Sequence, residues 1–113
     1  GDAPIEQLLG MFDALAEWFD QPGYRGCMFI KASAEYQEND HAIHVQSSEH
    51  KRLLFDHIEE ICTRMGAGKP ADLARQLLLL KEGAIVMAVL GRGIDAAHDA
   101  KSAAKVLLHA SMN

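Results

Sequence analysis

A chain of 113 residues, 49% apolar and 24% charged, is long enough to bury one modest core and is read as a single domain over residues 1–113. Its formal net charge of -5, with eleven Lys and Arg scattered along the sequence, excludes a chain that grips nucleic acid through its own clustered cations. Cys27 and Cys62 fit neither a metal-ligand spacing nor a disulfide framework, and the longest apolar stretch is interrupted by Lys81 and Glu82, so a cytoplasmic protein with no membrane span and no cofactor is expected.

Pro4 suits a first helical turn, and Ile5, Leu8, Leu9, Phe12, Leu15, Ala16 and Phe19 recur at helical spacing, which predicts a helix over 4–19. Gln21, Pro22 and Gly23 end it. The stretch "YRGCMFIKASAEY" at 24–36 mixes a strand-like Met28, Phe29 and Ile30 with helix-favouring Ala32, Ala34 and Glu35. With no partner strand elsewhere, it is expected to be a short helix from about residue 26 to 36. Residues 41–65 follow as a long helix stopped by Gly66, Gly68 and Pro70. Its inward arc carries Ile43, Ser47, His50, Leu54, His57, Ile58, Ile61 and Met65, so Ser47 and His50 stand where apolar residues would be usual.

A fourth helix over 70–90 begins with the stripe Leu73, Leu77, Leu80 and Ala84, and then becomes apolar on nearly every side in "GAIVMAVL". One small domain covers such a helix poorly, and a second chain would cover it. Gly91, Arg92 and Gly93 break the chain before a last helix over 95–110, whose Ala96, Ala97, Ala100, Ala103, Ala104 and Leu107 share a face. Small residues permit close helix approach, and the last two helices are expected to form half of a four-helix contact between identical chains.

Three segments in this order, "RGCMFIKASAEY", "SEHKRLLFDHIEEI" and "LARQLLLLKEGAIVMAVLG" with its Ala-rich sequel, resemble the C-terminal regulatory domain of TetR/AcrR family transcriptional regulators. The resemblance implies an all-α fold of five helices and a homodimer held by the last two. It implies a small apolar or amphipathic inducer in a cavity between helices 4–19, 26–36, 41–65 and 70–90. Binding would shift the protein away from its DNA-competent state. The family's helix-turn-helix is absent from these residues, so operator DNA is expected only through a missing N-terminal domain. On this basis Phe12, Cys27, Ile30, Ala34, Ser47, His50, Leu54, Leu80 and Ala84 are candidates for the ligand site. Leu78, Ile85, Val89, Ala97, Ala100, Ala104 and Leu107 are candidates for the dimer interface.

Each candidate has a plainer reading. Cys27 beside Arg25 could sense oxidants or electrophiles through a lowered thiol pKa, but small apolar packing is the commoner role of a free cysteine. His50 could orient a ligand or be hydrogen-bonded to Glu35 or Tyr36. His41, His44 and His50 lack a completing carboxylate at ligand spacing, and no metal site is expected. Phe12, Leu54 and Leu80 line a cavity only if the core is hollow. Lys81 either snorkels outward or meets Glu35, Glu49 or an acidic ligand. No phosphate loop, nucleophile elbow or carboxylate pair with histidine partners is present, so no enzyme is expected. The competing class is a helical homodimerisation module without a ligand cavity.

Overall fold

The computed structural model describes residues 3–21 and 41–112, excepting the side chains at 41–48, 89, 92 and 94. These residues form four helices and no strand: α1 Pro4–Phe19, α2 His41–Met65, α3 Pro70–Met87 and α4 Gly93–Ser111. The expected short helix over 26–36 lies outside the described residues. The helices pack as a ring in which each meets its neighbours in sequence, and α4 closes the ring against α1. The core fills the middle.

α1 starts where the sequence places it, with Pro4 in the first turn and the Gln7 amide donating to the Ala3 carbonyl at 3.0 Å. Its inward stripe is Leu8, Phe12, Leu15 and Phe19, and Ile5 and Trp18 remain more than a third exposed. Burying side chains of this size contributes about 1.5–3 kcal/mol each, which makes the stripe the main reason α1 stays docked.

α2 ends in a left-handed cap. Gly66 sits at φ 88°, its amide donates to Thr63 at 3.0 Å, and the Ala67 amide donates to Cys62 at 3.2 Å. This is the paired pattern that satisfies the last carbonyls of a helix, and it favours glycine because a side chain is strained at that φ. α3 then begins on Pro70, with the Leu73 amide bonded to Lys69 and the Asp72 carboxylate accepting from Arg75.

Two boundaries differ from the sequence reading. Regular α-helix in α3 stops at Met87 rather than residue 90, and α4 begins at Gly93 rather than residue 95. Between them, at Ala88–Arg92, the chain kinks, with Gly91 in a non-helical conformation at φ 96° that favours glycine.

α4 lies deep in its own protomer. Ala97, Ala100, Ala104 and Leu108 are buried, and Gly93 approaches α1 so closely that a Cβ there would stand 2.9 Å from the Phe19 Cβ. Two polar contacts bridge from α1: Lys101 donates to Asp13 at 2.7 Å, and Arg64 of α2 donates to Gln7 at 3.0 Å. Both are surface contacts and add little beyond the apolar packing.

Candidate functional site

α3 carries two apolar stripes. The inner one, Leu73, Ala74, Leu77 and Ala84, is buried against the other helices. The outer one, Leu79, Gly83 and Val86, with Leu90 of the kink beyond it, lies on a different side and is open to solvent. Leu79 is 73% exposed, Val86 61% and Leu90 69%. An apolar run of this length left in water is a feature that binding surfaces share.

Beside this stripe, α3 and α4 enclose an open groove of about 520 Å³. One wall is Leu79, Leu80, Gly83, Ala84 and Met87 of α3, and the other is Asp95, Ala96, Asp99 and Ala100 of α4. The groove is apolar at its base and carries carboxylates along one rim. Among the described residues, neither Asp95 nor Asp99 forms an ion pair. On the far side of the rim, α4 exposes Ser102, Lys105, Val106 and His109.

The sequence-derived ligand residues that the structure describes fall in different places. Phe12 is 1% exposed and packed into the core, and Leu54 is half-buried against it. Leu80 and Ala84 line the α3–α4 groove instead. His50 is exposed, as is every residue from 49 to 53; beyond them Leu54 is half-buried and Ile58, Ile61 and Cys62 are buried. His57, on the same arc, is exposed too. Cys27, Ile30 and Ala34 lie outside the described residues, and Ser47 is placed on α2 by its backbone alone.

The interface residues also divide. Ala97, Ala100 and Ala104 are 1%, 7% and 0% exposed, so this small-residue face serves close approach within the chain. Leu78, Ile85 and Leu107 are half-buried against that same core. The Val89 side chain is not among those described. Leu79 and Val86, one position on from Leu78 and Ile85, are the exposed ones. The signal for them was present as the i, i+4, i+7, i+11 recurrence of Leu79, Gly83, Val86 and Leu90, but a helix apolar all round offers several such stripes.

Cys62 is fully buried, and burial, with the nearby Glu59 charge adding to it, pushes its thiol from 9.0 up to about 11. A thiol so held is neutral and unreactive at physiological pH. It is therefore unsuited to act as a resolving partner for Cys27.

The described residues thus form four helices with an exposed apolar stripe along one edge. The chain is homologous to the HTH-type transcriptional regulator YjdC of Escherichia coli (strain K12), 31% identical over 96 residues, a match covering 82% of this chain and 50% of that protein. YjdC of Shigella flexneri matches with the same figures. The chain thus spans about half the length of the curated relatives it matches. No family model and no solved structure matches. No helix among the described residues is long and apolar enough to cross a membrane.

Proposed function

We propose that this chain is the regulatory and dimerisation part of a TetR/AcrR-type transcriptional repressor, whose operator-binding helix-turn-helix belongs to a segment outside these residues. The observation that carries the proposal is the 31% identity to HTH-type regulators over half of their length. The outer faces of α3 and α4 support it independently, because Leu79, Val86 and Leu90 are more exposed than a chain working alone would leave them. In this reading two copies meet through α3 and α4. A small apolar or amphipathic inducer shifts the dimer between DNA-competent and DNA-incompetent states, with a coupling of typically ~1–3 kcal/mol between the two sites.

Light scattering on the purified protein tests the dimer, with a mass near twice 12.4 kDa expected at tens of micromolar. A set of small apolar and amphipathic compounds, screened by thermal shift, tests the inducer. A dimer stabilised by none of them would favour the assembly-module reading, which the placement of Phe12 in a filled core already supports to that extent.

A further inference from the structure

We draw no further inference here: the strongest candidate, the open groove between α3 and α4 with Asp95 and Asp99 along its rim, lies on the face that the proposed dimer would cover, and nothing in the structure shows what else would occupy it.

Discussion

α1 and α3 stand at opposite corners of the ring, and each turns an apolar stripe inward. They differ in what they turn outward. Between its ends α1 shows Asp13, Ala14 and Glu17 to water, with Ile5 and Trp18 exposed only near its termini. α3 shows Leu79, Gly83, Val86 and Met87, followed by Leu90 in the turn. The inner stripes explain why these helices pack, and among the described residues nothing covers the outer stripe of α3. The comparison teaches that packing among these helices alone would be served by a polar outer face on α3 as well, and this is the face that the proposed dimer would cover.

The largest effects should fall on the inner stripes. Phe12→Ala removes a side chain that is 1% exposed and is expected to cost about 3–5 kcal/mol in chemical denaturation. Leu79→Ser, measured at concentrations where the protein is monomeric, should stay within about 0.5 kcal/mol of the parent. Equal losses in the two variants would erase the distinction between inner and outer faces.

A smaller loss is expected where α4 touches the end of α1. Gly93→Ala puts a Cβ 2.9 Å from the Phe19 Cβ, and the overpacking should cost about 1–3 kcal/mol. A neutral result would mean that the α1–α4 corner yields more easily than the rest of the core.

The smallest and most specific effect concerns Cys62. Its thiol is raised from 9.0 to about 11 in the fold, so the unfolded chain ionises first as pH rises. Stability from this group is therefore fully present below pH 9.0 and declines between there and about 11. Alkylation at pH 8 should leave Cys62 unmodified in folded protein and label it after denaturation. Rapid labelling of the native protein would contradict the buried position of α2's last turn.

Much of the architecture was legible because its signals are local and stereochemical. Pro4 and Pro70 start helices, Gly66 ends one at a positive φ, and the residues 4–19 and 41–65 follow from these with the observed limits. The exact limits of the kink between α3 and α4 were not, since Gly91, Arg92 and Gly93 mark the place of the break without saying which of them leaves helical geometry. Which way the faces of α3 and α4 turn is not legible in the sequence, for a physical reason. Small residues announce close approach without saying to what, and Ala97, Ala100 and Ala104 approach their own chain. On α3, Leu78 and Leu79 are chemically identical, and only the packing around them separates a half-buried residue from an exposed one. The helical arc of α2 places His50 in line with Leu54 and Ile58, but periodicity does not say how far along the helix burial extends, and His50 is exposed.

The central claim is that the outer faces of α3 and α4 receive a second copy. Light scattering of the parent protein and of a Leu79→Glu, Val86→Glu double variant tests it most directly, because both positions are exposed and the fold should tolerate the charges. The parent is predicted to show twice 12.4 kDa and the folded variant 12.4 kDa. A parent of single mass, or a variant that remains fully dimeric, would contradict the account.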